Sequence, residues 1–220
     1  MFLEAELQGA DGLADGLSDA LADGNASGNG GGSGGAELLW TEHFSPTSIR
    51  MRWRASVDAL EFEPGQFYRF TFNDSDGTFE RSYTFAQYEN DCPAGDFELL
   101  ISETKGGRAT RLLFDAAPGL SATLSGPYGR LVLPDEGRRL FLVATSAGLA
   151  PYLPMLHSLE QSTSVPFESV HLLFGVRSPV ECLCRPWLAD LALSHAWFDW
   201  EVFYSQSLPS KPAMNEHQGY

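Results

Sequence analysis

The sequence is short of positive charge, with 14 lysines and arginines against 29 aspartates and glutamates and a formal net charge of −15. That balance excludes nucleic acid as a partner, because phosphates are bound by a basic surface that displaces counterions. It also disfavours anionic membranes, and the surplus acid reads as a solvated surface rather than as a pointer to any one partner. Cysteine is scarce too: there are three, Cys92, Cys182 and Cys184, of which only the last two lie close together. This excludes a disulfide framework, a zinc site and an attached plant-type iron–sulfur domain, which needs four thiolates. The five histidines, His43, His157, His171, His195 and His217, are scattered without ligand spacing, so no metal site is expected. No run approaches the roughly 18 apolar residues of a membrane span. The first residues lack the basic flank and apolar core of a signal peptide, and the expected location is the cytoplasm.

Apolar residues make up 43% of the 220 positions and aromatics 12%, enough to bury a core in one large domain or two small ones. Residues 1–37 are rich in Asp, Gly and Ala and end in Gly28-Asn29-Gly30-Gly31-Gly32-Ser33-Gly34-Gly35. They read as a disordered acidic and glycine-rich extension, although Leu13, Leu17 and Leu21 have helical spacing. Folding is expected to begin near Leu38. From there to 135, short strand patterns (Ser48–Arg54, Gln66–Phe72, Ser82–Gln87, Phe97–Ser102, Ala122–Ser125) are separated by Pro64-Gly65, Asp76-Gly77 and Pro93-Ala94-Gly95. One short helix, Ala109–Asp115, interrupts them, and the pattern predicts a small antiparallel barrel. From 138 to 220 the apolar runs Arg139–Ala144, Val170–Gly175 and Trp200–Tyr204 alternate with helical patterns at Pro151–Glu160 and Val180–Ser194. Such alternation predicts a parallel α/β sheet.

Six local patterns stand out, five of which suit nucleotide chemistry. In Arg81-Ser82-Tyr83-Thr84, arginine offers a fork of donors for a pyrophosphate, tyrosine a flat face for a ring, and threonine a hydroxyl for a ring nitrogen. Gly106-Gly107-Arg108-Ala109-Thr110 is a glycine turn opening a helix, where free amides and the positive helix end attract an anion. Ser125-Gly126-Pro127-Tyr128-Gly129 is a rigid turn that reads as structural. Ala144-Thr145-Ser146-Ala147-Gly148-Leu149-Ala150-Pro151 and Phe174-Gly175-Val176-Arg177 follow apolar strands, where ligands of a parallel sheet sit. Tyr204-Ser205-Gln206 ends a further strand in the same way.

Each pattern alone is weak, but their order and spacing from Leu38 to Tyr220 resemble the ferredoxin-NADP reductase family. The resemblance implies an all-β antiparallel FAD-binding barrel followed by an α/β parallel-sheet nucleotide-binding domain, with FAD between them. It implies that Arg81 lies at the FAD phosphates, that Ser82 is among the cofactor-binding residues, that Tyr83 stacks on the flavin and that Thr84 stands near its reactive nitrogen, making Tyr83 and Thr84 the expected catalytic pair. Gly107, Arg108, Ala109 and Thr110 are implied at the pyrophosphate. Thr145, Gly148 and Pro151, with Val176, Arg177, Ser205 and Gln206, are implied around NADP or NAD. The implied activity is of the ferredoxin/flavodoxin-NAD(P)+ reductase type, with ferredoxin or flavodoxin as the electron-carrier partner. Two alternatives share the fold: an NADH-dependent reductase component of an oxygenase, and a flavin-free regulatory module.

Three departures from the family pattern carry expectations. Ser146-Ala147-Gly148 stands where the family has Gly-Thr-Gly, which places a side chain at a close-approach position. Neutral Gln206 stands where members using NADP have arginine, which predicts that NADH serves at least as well as NADPH. The sequence stops at Gly219-Tyr220, short of the Cys-Gly element that the resemblance implies beside the nicotinamide, so a C-terminally truncated nucleotide domain is expected.

Overall fold

The computed structural model describes residues 2–4, 33–57, 60–88 and 92–219. Two sheets organise them. The first is antiparallel and built from β2 (Ser33–Ser45), β3 (Ser48–Ala55), β4 (Phe67–Asp74), β5 (Gly77–Thr84), β6 (Asp96–Ser102) and β7 (Ser121–Tyr128), in spatial order β5-β4-β7-β2-β3-β6. A bridge between Phe85 and Leu99 joins the end of β5 to β6 and closes the sheet into a barrel. Alternation supplies the interior, because side chains two residues apart share one face of a strand. Ile49, Met51 and Trp53 of β3 and Tyr68, Phe70 and Phe72 of β4 point inward and are buried. Helix α1 (Arg108–Phe114) adds the fully buried Leu113 to this core.

The second sheet is parallel, in order β1-β8-β9-β10-β11, with β1 (Phe2–Glu4), β8 (Gly137–Thr145), β9 (Phe167–Val176), β10 (Phe198–Tyr204) and β11 (Glu216–Gln218). Helices α2 (Tyr152–Gln161) and α3 (Arg185–Ser194) bury Leu153, Leu156, Leu188 and Leu191 in one cluster with Leu140, Leu142, Val170, Leu172 and Phe174 of the strands. The barrel residues Ala86, Tyr88 and Leu100 belong to that same cluster, so the two sheets share a packed junction. The fold class read from the sequence, barrel then α/β sheet, is the one found.

Several boundaries differ from expectation. Phe2–Glu4 of the expected extension pair with β8, and the barrel starts at Ser33, inside the expected linker, because Ser33, Gly34 and Gly35 pair with Ser125, Leu124 and Thr123 of β7. Most of the remaining 1–37 extension, including Leu13, Leu17 and Leu21, lies outside the described residues. Strand β5 begins at Gly77 rather than Ser82. The Asp74 carboxylate accepts the Asp76 amide at 2.8 Å and Gly77 has φ of 102°, so the hairpin turns within two residues and pairs Asp74 directly with Gly77. The expected helix Val180–Ser194 is divided into a 3-10 turn at Pro179–Glu181 and α3, because Cys184 takes a left-handed φ of 56° and Pro186 follows in the first turn. The parallel sheet holds five strands among the described residues where three had been expected.

Candidate functional site

Register on the barrel edge decides which side chains meet. Arg81, Ser82, Tyr83 and Thr84 of β5 stand opposite Phe70, Arg69, Tyr68 and Phe67 of β4. With a period of two, Arg81 and Tyr83 share one face of β5 with Phe79, and Ser82 and Thr84 share the other. The Arg81 guanidinium is exposed and lies 5.7 Å from the Phe79 ring centroid, donating to the Glu80 carbonyl at 2.7 Å. Arg108, at the start of α1, lies over the same ring at 4.4 Å. Phe79 therefore brings together Arg81 and the helix start, which are 27 positions apart in sequence by subtraction of 81 from 108.

At that helix start the first intrahelical bond is the Arg111 amide to the Gly107 carbonyl at 3.1 Å, so the amides of Arg108, Ala109 and Thr110 precede the hydrogen-bonded turn. The Thr110 hydroxyl accepts the Thr104 amide at 3.0 Å and fixes the glycine turn. The Arg108 side chain braces the β4–β5 hairpin: its Nε donates to Asp74 at 2.9 Å and its terminal nitrogen to the Gly77 carbonyl at 2.8 Å. The hydrogen bond from Arg108 holds the Asp74 carboxyl at about 2, below its usual 3.8. The positive charge at this site is thus carried by Arg81 and by Arg111, which donates to the Gly106 carbonyl at 2.6 Å.

Tyr83 packs edge-on against Phe70 with centroids 5.5 Å apart, and burial pushes its hydroxyl well above the ordinary phenol value. Thr84 is half-buried beside Phe67. The register also shows two residues that the sequence patterns left aside. Phe67 pairs with both Thr84 and Tyr128, and the Arg69 guanidinium lies 5.5 Å over the Tyr128 ring. Tyr128 had read as part of a structural turn; the Gly126-Pro127 step ahead of it was its only local signal.

The remaining predicted residues gather at the C-terminal ends of β8, β9 and β10. Thr145 pairs with Gly175, and a side chain at Gly175 would come within 3.1 Å of the Thr145 methyl group. The Ser205 amide donates to the Val176 carbonyl at 2.9 Å, and the Gln206 amide to the Arg177 carbonyl at 2.9 Å. Val176, Arg177, Ser205 and Gln206 therefore form one connected edge. Ser146, after β8, holds a left-handed φ of 50° where glycine is at ease, and Gly148 is buried in a 3-10 turn leading to Pro151 and α2. Strand-end crevices of this kind are where parallel sheets bind ligands.

Glu216 went unmarked in the sequence. Its buried carboxylate accepts from the Tyr204 hydroxyl at 2.9 Å, Arg185 at 2.8 Å and the Ala213 amide at 2.8 Å, tying β11 to β10 and α3. Burial pushes its pKa up, but the Ala213 amide, the Tyr204 hydroxyl and the Arg185 charge together hold it below the ordinary value. Cys182 lies nearby, and burial raises its thiol to about 11, which keeps it protonated and a poor nucleophile. No group of three or more metal-ligating side chains occurs among the described residues, and no helix among them is long and apolar enough to cross a membrane.

Comparison with known proteins bears on the barrel first. Residues 40–133 match the family described as the oxidoreductase FAD-binding domain. Over this domain the chain is similar to ferredoxin reductases. One relative is the ferredoxin–NAD(+) reductase component of the alkene monooxygenase system of Xanthobacter autotrophicus, 39% identical over 140 residues that cover 62% of this chain and 40% of that protein. Another is ferredoxin–NADP reductase B of Sorangium cellulosum, 27% identical over 158 residues, covering 71% of this chain and 63% of that one. The fold is also that of a ferredoxin NADP+ reductase from Neisseria gonorrhoeae with bound FAD and NADP. There the TM-score is 0.69 at 24% identity, over 84% of this chain and 72% of that one. This chain spans less than two thirds of the length of both ferredoxin reductase relatives.

Proposed function

We propose that this chain is the FAD- and nucleotide-binding part of a reductase that moves electrons from NADH or NADPH to a small electron-carrier protein, a ferredoxin or flavodoxin. The observation that carries this reading is the meeting of Arg81 and the α1 start around Phe79, beside Tyr83 and Thr84. An outward guanidinium and several amides that precede a helix form a fitting cradle for a pyrophosphate. On this reading residues 38–135 are the flavin domain and residues 138–220 the nucleotide domain.

The roles follow from the chain's own groups. Arg81, with the amides around Gly107, Arg108, Ala109 and Thr110, holds the cofactor's phosphates, and Ser82 on the other face of β5 borders the cofactor beside Thr84. Tyr83 offers a ring face, and its raised hydroxyl keeps it neutral. Thr84 orients the reacting edge with its hydroxyl, and Tyr128 borders the same strand ends. Thr145, Gly148, Pro151, Val176, Arg177, Ser205 and Gln206 line the nucleotide crevice. FAD, when bound, supplies the exchange between two-electron and single-electron steps. Neutral Gln206 supports NADH as the nucleotide used at least as well as NADPH. The relative in the alkene monooxygenase system favours a second acceptor, an oxygenase's iron–sulfur protein, served by the same two domains. A reductase of this kind draws on nucleotides of the cytoplasm.

Purified protein tests the reading directly. Oxidised flavin gives a yellow solution, and Arg81→Ala should lower FAD affinity by tenfold or more, from loss of a charge-assisted contact of about 1.5 to 3 kcal/mol, while the fold persists. Colourless folded protein that takes up no added FAD would sink the proposal.

A further inference from the structure

Arg177 does not face the nucleotide edge alone. Its Nε stands 3.4 Å from one carboxylate oxygen of Glu181, whose side chain is only 13% exposed while that of Arg177 is 52% exposed. The other Glu181 oxygen accepts the Thr47 hydroxyl at 3.2 Å. Thr47 sits in the turn between β2 and β3, and its own carbonyl accepts the Glu103 amide at 2.8 Å. Glu181 is therefore anchored to the barrel by one oxygen and directed at Arg177 by the other. The second oxygen is buried and has no hydrogen-bond donor, so its neighbour of opposite charge is Arg177. The Arg177 backbone, meanwhile, holds the amides of Gln206 and Ser207.

We propose that Glu181 is a specificity-determining residue: it keeps the Arg177 guanidinium in an internal ion pair and so disfavours a nucleotide carrying a 2′-phosphate. A phosphate dianion reaching this edge meets an arginine already neutralised, with a fixed carboxylate just behind it. A ribose with a free 2′-hydroxyl suffers no such repulsion. Discrimination of this type acts through a repulsive element as much as through attraction. The inference rests on the nucleotide-crevice reading given above.

The test uses the full 220-residue chain with two probes, 5′-AMP and adenosine 2′,5′-bisphosphate, titrated calorimetrically at fixed ionic strength. The parent should bind 5′-AMP at least as tightly as the bisphosphate. Glu181→Gln should tighten the bisphosphate about tenfold or more, the scale of a freed arginine–phosphate contact, with 5′-AMP changed by less than about twofold. Glu181→Asp, which keeps the charge but draws it back by one methylene, should give a smaller gain in the same direction and serves if the Gln variant fails to fold. The double variant Arg177→Ala/Glu181→Gln should lose the gain. A ratio unchanged in both single variants, or a gain that survives in the double variant, overturns the proposal while leaving the crevice reading intact. A folded parent that binds neither probe overturns the crevice reading and the inference with it.

Discussion

At the residue scale, what could be read from the sequence was chemistry carried by neighbours in the chain. Arg81-Ser82-Tyr83-Thr84 declares itself because a strand fixes four successive side chains relative to one another. The acids Glu98, Glu181 and Glu216 declare little, because Arg50, Thr47 and Arg185, which they bind, lie 48, 134 and 31 positions away and meet them only in the fold. Asp74 belongs to the same hidden class, 34 positions from Arg108. Its pH dependence follows from the direction of its shift. The folded carboxyl is lowered to about 2 from 3.8, so the stability it contributes is present above about pH 4 and is lost as pH falls towards 2. Asp74→Asn should therefore lower the melting temperature at neutral pH and flatten its acid-side decline, with the two proteins converging near pH 2. Parallel melting curves across that range would show that Arg108 gains nothing from the charge.

At the element scale, the strands with clean alternation were visible and those with irregular pairing were not. Strand β3 alternates Ile49, Met51 and Trp53 with Arg50 and Arg52 and reads at once. Strand β2 beside it has register shifts between Leu38 and Trp40 and between His43 and Ser45, which scramble the period that a strand reading needs. Helix α3 was overextended because the left-handed backbone at Cys184, just ahead of Pro186, is not visible in composition. The β3–β6 pair also carries a charge arrangement that only the register explains. Arg50 and Arg52 stand opposite Leu100 and Glu98, and both guanidinia donate to Glu98, which is 1% exposed, at 2.8 and 2.6 Å. Trp40 lies under both arginines and Tyr88 under Arg50. Removing the shared carboxylate takes away a buried counter-charge from two largely buried cations. Glu98→Gln should cost about 3 to 5 kcal/mol by chemical denaturation, the scale for breaking a buried ion pair. A loss under about 1 kcal/mol would mean that the other contacts of the two arginines, the aromatic faces among them, suffice without the carboxylate.

At the scale of the whole molecule, the sequence indicated two units but not how they meet, since the junction is made by residues that each look ordinary locally. Tyr88 of the barrel packs on Trp187 of α3 with centroids 5.0 Å apart, and Thr47 reaches Glu181. One tight point is Gly65, in the turn before β4. It has φ of 99°, a conformation in which a side chain is strained. A methyl group there would come within 2.0 Å of the Leu131 carbonyl oxygen and 2.3 Å of the Met155 methyl group. Met155 can move aside, but a backbone carbonyl in the segment joining β7 to β8 cannot yield without shifting that segment. Leu131 packs against the cluster shared by the two sheets, and Met155 is in it. Gly65→Ala should therefore act between the domains rather than inside either one. The expected result is a loss of about 2 kcal/mol or more, from left-handed strain added to overpacking. Proteolytic cleavage in residues 129–136 should become faster. Because the proposed flavin and nucleotide residues lie on different sides of this junction, nucleotide-driven flavin reduction should fall more than FAD content does; misplacement by about 1 Å can cost about a hundredfold in rate. A variant as stable as the parent, with unchanged cleavage, would show that the turn and the linking segment are free to separate, and that the two sheets are held in place without this contact.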